Sequence, residues 1–119
     1  MTTSTTDNLP DWPFFDPGRV MITPAVQALD ESVWLPWLQQ HLVGDWGEVS
    51  EYPEDVAEND KVFHRVLAIR ATRNGEVPGR LLSRYTDRGT GESYYIITEW
   101  YNPAKLESAV TTILSVWEY

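Results

Sequence analysis

Residues 53–71 read PEDVAENDKVFHRVLAIRA, and how this stretch divides decides the fold. Its first half begins on a proline and places Glu54 and Asp55 where a helix N-terminus favours negative charge, which predicts a short helix over residues 53–63. Its second half, VFHRVLAIRA, is apolar and rich in β-branched residues, which predicts a strand over residues 62–71. Three further strands are predicted downstream, at residues 80–86, 93–101 and 108–116. They are separated by RNGEVPG, DRGTGE and NPAKLE, segments rich in the residues that make turns. Tyr94, Ile96, Thr98 and Trp100 alternate onto one face, and Val110, Thr112, Leu114 and Val116 onto another. Read this way, the second half of the chain is a four-stranded antiparallel meander.

Upstream the pattern is helical. TPAVQAL offers Thr23 as a cap and Pro24 at the first helical position. In DESVWLPWLQQHL, Val33, Trp34, Trp37, Leu38 and Leu42 recur at helical spacing. Pro36 has no N–H to donate, which places it in the first turn of a helix starting between Ser32 and Leu35. Gly44 then marks the stop. Residues 1–18, with Pro10, Pro13 and Pro17 interleaved with Trp12, Phe14 and Phe15, read as an extended tail whose aromatics dock on the domain or on a partner. Residues 19–119 form a single α+β domain with N-terminal helices packed on a four-stranded antiparallel sheet.

At 119 residues the chain is long enough for one hydrophobic core. The absence of cysteine removes disulfides and thiol chemistry from consideration. No apolar run reaches the roughly 20 residues needed to span a bilayer, and the opening residues lack the basic and apolar blocks of a secretory signal. The expected location is therefore the cytoplasm. The formal net charge is -9, unevenly spread. Arg19 is the single base among residues 1–60, whereas residues 61–119 carry eight, including the six arginines from Arg65 to Arg88. A field of this kind repels nucleic acid and anionic membranes and attracts basic surfaces.

His41, Asp45 and Glu48 present nitrogen and oxygen donors close together, but an intervening glycine and the lack of a second nearby histidine leave them without a metal-ligand spacing. Neither a metal nor a cofactor is expected. Trp46 between glycines is either a core anchor or a contact residue at a partner surface. A second constellation fits metal-independent RNA cleavage of the toxin type: His41 or His64 as general base, Glu99 as a second carboxylate, and Arg80 or Arg84 to hold phosphate. The sequence GTG at residues 89–91 lacks the strand-to-helix setting of a phosphate loop.

The motif set Thr23-Pro24, His41 with Gly44-Asp45-Trp46-Gly47, Asn59-Asp60, Gly79-Arg80-Leu81-Leu82-Ser83-Arg84-Tyr85, Ile97-Thr98-Glu99, Thr111-Thr112 and Glu118-Tyr119 spans the chain from Val20 onward. In content and order it resembles a family of small proteins encoded on bacterial plasmids and integrated elements, some of them labelled as restriction-enzyme subunits. Where typical members carry Arg-Ser before the threonine pair, this chain has Ser108-Ala109, and Val116 replaces a proline. WYNPAKLE, residues 100–107, reads as an insertion in the last hairpin. The resemblance implies a mobile-element setting, and the missing arginine weighs against phosphate chemistry.

Charge and resemblance together lead to one expectation: a non-enzymatic accessory or inhibitor protein of a mobile element or phage. Its acidic surface, drawn from Asp45, Trp46, Glu48, Glu51, Glu54, Asp55, Glu58 and Asp60, would occupy a basic, nucleic-acid-binding site of a host defence or processing protein. The ribonuclease is the alternative. Neither a direct nucleic-acid partner nor a membrane is expected, and the oligomeric state is open.

Overall fold

The structure, a computed structural model, describes residues 14–119. Its elements in chain order are β1 (Arg19–Ile22), α1 (Pro24–Gln27), α2 (Glu31–Leu42), a 3-10 turn (Glu48–Glu51), α3 (Pro53–Thr72), β2 (Leu81–Thr86), β3 (Ser93–Trp100) and β4 (Ala109–Ser115). Short 3-10 turns precede and follow β4, at Leu106–Ser108 and Val116–Glu118. Helix and a four-stranded sheet coexist, as expected, but the sheet is mixed. Its order is β1-β4-β3-β2, with β2, β3 and β4 antiparallel and β1 running parallel to β4.

The expected antiparallel meander fails at one element. Residues 62–71 are not a strand; they are the second half of α3, a continuous helix of 20 residues. The reason lies in the period. Val62, Phe63, Val66 and Ile69 are buried while His64, Arg65, Ala68 and Arg70 are exposed. That is a helical stripe, and packing along it overrides the β-preference of the valines. The acids at its N-terminus and Arg70 in its last turn both favour the helix dipole. The fourth strand comes instead from Arg19–Ile22, four residues with no alternation of burial to announce them. The other three strands fall within one residue of their expected limits.

The helix α2 also starts earlier than Pro36 implies. Asp30 caps it, accepting the Ser32 N–H at 2.9 Å, so the helix begins at Glu31 and Pro36 sits in the second turn on the exposed side. The capping bond holds the Asp30 carboxyl below its ordinary pKa. The Schellman-type stop at Gly44 is as expected: its φ of 84 and its packing over the Phe63 ring both demand glycine. Phe15, read as part of the tail, is fully buried, with its N–H on the Leu42 carbonyl at 3.1 Å. It packs edge-on against His41 and Phe63. Pro10, Trp12 and Pro13 lie outside the described residues.

The edge strand β2 is closed by side-chain and loop chemistry. Asn59, buried on α3, donates Nδ2–H to the Leu82 carbonyl at 2.7 Å and accepts the Leu82 N–H at 3.1 Å. The Trp46 carbonyl takes the Arg84 N–H at 3.3 Å. A bare edge invites pairing with other chains, and here its polar groups are spent locally. Replacing Asn59 by Ala leaves both Leu82 backbone groups without a partner. A loss of about 2 kcal/mol in unfolding free energy is expected, to be measured by urea denaturation with the strand content followed by circular dichroism.

Candidate functional site

Two regions carry the polar chemistry: a buried cluster around His41 and a charged edge along β2. In the first, His41 projects from the last turn of α2 and is fully buried. Its Nδ1 lies 2.6 Å from Ser83 Oγ on β2, and its Nε2 lies 2.9 Å from Thr98 Oγ1 on β3. Thr98 Oγ1 is 2.7 Å from Thr111 Oγ1 on β4, which donates to the Pro17 carbonyl at 2.8 Å. The sheet register places Ile96 opposite Ser83 and Thr111 opposite Thr98, so these hydroxyls share the face of the sheet that meets α2.

The end of this chain fixes the direction of every bond in it. The Pro17 carbonyl can only accept, so the one Thr111 hydroxyl proton goes there. Thr98 must then donate to Thr111, and the proton between His41 and Thr98 must belong to Nε2. Nδ1 is left to accept from Ser83. The ring is the neutral Nε2–H tautomer with both nitrogens engaged. Burial pushes its pKa from 6.5 down to about 3. Phe15 and Trp46 close over it edge-on, at 5.4 and 5.6 Å between ring centroids. A histidine held this way neither ligates a metal nor abstracts a proton from a substrate at neutral pH.

The segment Gly44-Asp45-Trp46-Gly47 is the corner that seats this cluster. The Asp45 side chain accepts the Gly47 N–H at 3.2 Å, an Asx turn, and its carbonyl accepts the Tyr85 hydroxyl at 2.7 Å. Burial raises the Tyr85 pKa, so the phenol stays a donor. Trp46, 1% exposed, donates Nε1–H to Asp60 at 3.0 Å and offers no surface to a partner. Gly47 has φ 63 and ψ -130, and a Cβ there would lie 2.3 Å from the Arg84 carbonyl. Each residue of the motif thus has a structural reason.

The candidate ribonuclease residues do not converge. His41 is enclosed between α2 and the sheet, whereas His64 is exposed on α3. Arg80, Arg84 and Glu99 lie on the sheet face opposite Ser83 and Thr98, by the alternation of the strands. There Arg80 pairs with Glu99 at 3.9 Å and Arg84 with Glu48 at 3.2 Å. Their guanidinium groups sit over the rings of Tyr119 and Tyr95.

Of the acids singled out in the sequence, three have structural partners: Asp45 in its turn, Asp60 on Trp46, and Glu48 on Arg84 and Thr86. Glu51, Glu54, Asp55 and Glu58 are exposed, and none forms an ion pair among the described residues. They run from the 3-10 turn into the first turns of α3. Sequence reading missed Ser83, Thr98, Thr111 and Asn59 as the partners that hold the molecule together. The only signal for all four was their place in motifs shared with His41. Among the described residues, no helix is long and apolar enough to cross a membrane. Compared with protein-family models, with curated proteins and with solved structures, the chain matches none of them.

The buried ring makes stability depend on pH. The folded pKa lies below the unfolded one, so between about pH 3 and 6.5 the unfolded chain binds a proton that the folded chain refuses. Stability from this group is complete above 6.5 and falls by about 1.4 kcal/mol for each pH unit below it. Moving from pH 7.5 to about pH 5 should lower the unfolding free energy by about 2 kcal/mol, a window above the titration of Asp30 and Glu118. Both of those carboxyls are held below their ordinary pKa by hydrogen bonds. Urea unfolding at the two pH values checks this, and His41→Gln should remove most of the difference.

Proposed function

We propose that the protein acts by binding another protein through its exposed carboxylates, as a non-enzymatic accessory or inhibitor of a mobile genetic element or phage. In this reading α2 and α3 form a layer on the sheet face that carries Ser83 and Thr98, and this layer holds the carboxylates in fixed positions. Glu51, Glu54, Asp55 and Glu58 would meet a basic, nucleic-acid-binding site of a host defence or processing protein in the cytoplasm. They would take the place of phosphates there and steer association by charge.

One observation carries the reading: four carboxylates stand exposed on an anchored frame, and none forms an ion pair among the described residues. Side chains on either side of them are tied down, Trp46 to Asp60 before and within α3, and Asn59 to β2. Glu54 and Glu58 lie one turn apart, about 6 Å along the helix axis. Exposed charges that strengthen no contact within the fold are available for one outside it. The mobile-element resemblance supports the setting. Its motif residues His41, Ser83, Thr98 and Thr111 touch one another inside the fold, Trp46 bonds Asp60, and Glu118 bonds Thr23 at the surface. Those residues are accounted for by the scaffold, which leaves surface charge to carry the activity.

The test compares the wild-type chain with a variant carrying E51Q, E54Q, D55N and E58Q as bait in bacterial lysate. At about 0.1 M salt, where the Debye length is about 10 Å, the wild type should retain a nucleic-acid-binding protein. Raising salt to about 1 M, or adding duplex DNA as competitor, should release it. The neutralised variant should retain at least tenfold less. Equal retention by bait and variant would contradict the proposal.

A further inference from the structure

The carboxylates do not stand alone at the β2 edge. Two cavities run along it, and each is lined by both signs of charge. One, of about 160 Å³, is bounded by Asp55, Glu58 and Arg80 over a floor that includes Val49, Asn59 and Leu82. The other, of about 400 Å³, is lined by Glu48, Glu51, Arg84 and Arg88 among others. Arg80, Arg84 and Arg88 are spaced by four along the strand and the turn that follows it, a basic row. Asp55 and Glu58 share the first cavity with Arg80, and Glu48 and Glu51 share the second with Arg84 and Arg88, so the acids form a row beside the basic one in reverse sequence order. Arg84 and Glu48 are paired within the molecule. Arg80 lies over the Tyr119 ring and pairs with Glu99 at 3.9 Å, a half-exposed pair of little strength. Arg88, Glu51, Asp55 and Glu58 form no ion pair among the described residues.

A basic surface of the kind proposed above gains from the acidic row alone. A second copy of the chain meets both. We propose that the β2 edge is a self-complementary surface that pairs two copies of the protein about a twofold axis lying between the rows and parallel to them. Rotation about that axis lays each copy's basic row on the other's acidic row. Arg80 then meets Asp55 and Glu58, and Arg88 meets Glu51, each contact made twice. An isologous interface has this reciprocity as its defining property. Leu82, half-buried in the free chain, lies in the middle of the contact. The Leu82 N–H and carbonyl and the Arg84 N–H of β2 take no part, because Asn59 and Trp46 already bond them. Pairing covers Glu51, Asp55 and Glu58, so a basic partner of the kind proposed above would compete with the second copy.

The test uses the purified full chain alone and is independent of any partner. Sedimentation velocity across micromolar to hundred-micromolar concentrations should show monomer passing to dimer, with dissociation favoured at high salt. Two variants reverse one row each: R80E with R88E, and E51K with D55K and E58K. Arg84 and Glu48 are left in place because their contacts hold the strand. Each variant, shown by circular dichroism to be folded, should dimerise at least tenfold more weakly than the wild type. An equimolar mixture should restore a dimer, since the edge of one variant, acidic but for Arg84, faces the edge of the other, basic but for Glu48. A wild-type chain that stays monomeric throughout would overturn the inference, as would a dimer insensitive to both reversals or a mixture that does not associate.

Discussion

The structure depends on keeping one histidine neutral and fully bonded in the dark interior between α2 and the sheet. Burying an imidazole is tolerable only if both nitrogens find partners, and His41 reaches Ser83 and Thr98 on two different strands. The chain of donors then continues through Thr111 to the Pro17 carbonyl, so the same network joins α2, β2, β3, β4 and the segment that leads into β1. Phe15 covers the ring and bonds to the end of α2. From there the chain turns at Gly44 and sets Trp46 against the other side of the ring. Trp46 fixes α3 through Asp60, and α3 closes β2 through the bond of Asn59 to Leu82, the residue before Ser83. The contacts form a closed circuit, and an error at His41 would be felt at each station of it.

Much of this was legible from residue order alone. The strands β2, β3 and β4 stand out by apolar content and by the turn residues between them. The helix start at Pro24 and the stop at Gly44 follow from backbone geometry. The misreading at residues 62–71 has a definite cause: Val62, Val66 and Ile69 are β-branched, yet their spacing of four and three is helical, and spacing decides which side chains can share a core. The strand Arg19–Ile22 left no signal, because its residues are mostly exposed and it is held by its parallel neighbour β4. His41 was conspicuous but for the wrong reason. Asp45 lies near it in sequence, whereas its real partners are 42 and 57 residues away. Distances of that kind cannot be read from a single chain without the register of the sheet.

Charge shows the same limit. The division into an acidic first half and an arginine-rich second half is plain in the sequence, and it points to a surface of one sign. Folding brings part of the two halves side by side, with Arg80, Arg84 and Arg88 along the flank of Glu48, Glu51, Asp55 and Glu58. Net charge therefore describes long-range attraction, while the edge itself carries both signs of charge. A partner surface must match that pattern at contact distance, which narrows the choice further than a charge of -9 does.

The central claim is that His41 is a structural, neutral, Nε2-protonated ring. Long-range proton–nitrogen correlation NMR on uniformly 15N-labelled protein reads it directly, since protonated and unprotonated ring nitrogens resonate far apart. From neutral pH down to about pH 5, Nε2 should keep the shift of a protonated nitrogen and Nδ1 that of an unprotonated acceptor, with no titration. A His41 ring that titrates near 6.5, or that carries its proton on Nδ1, would contradict the account.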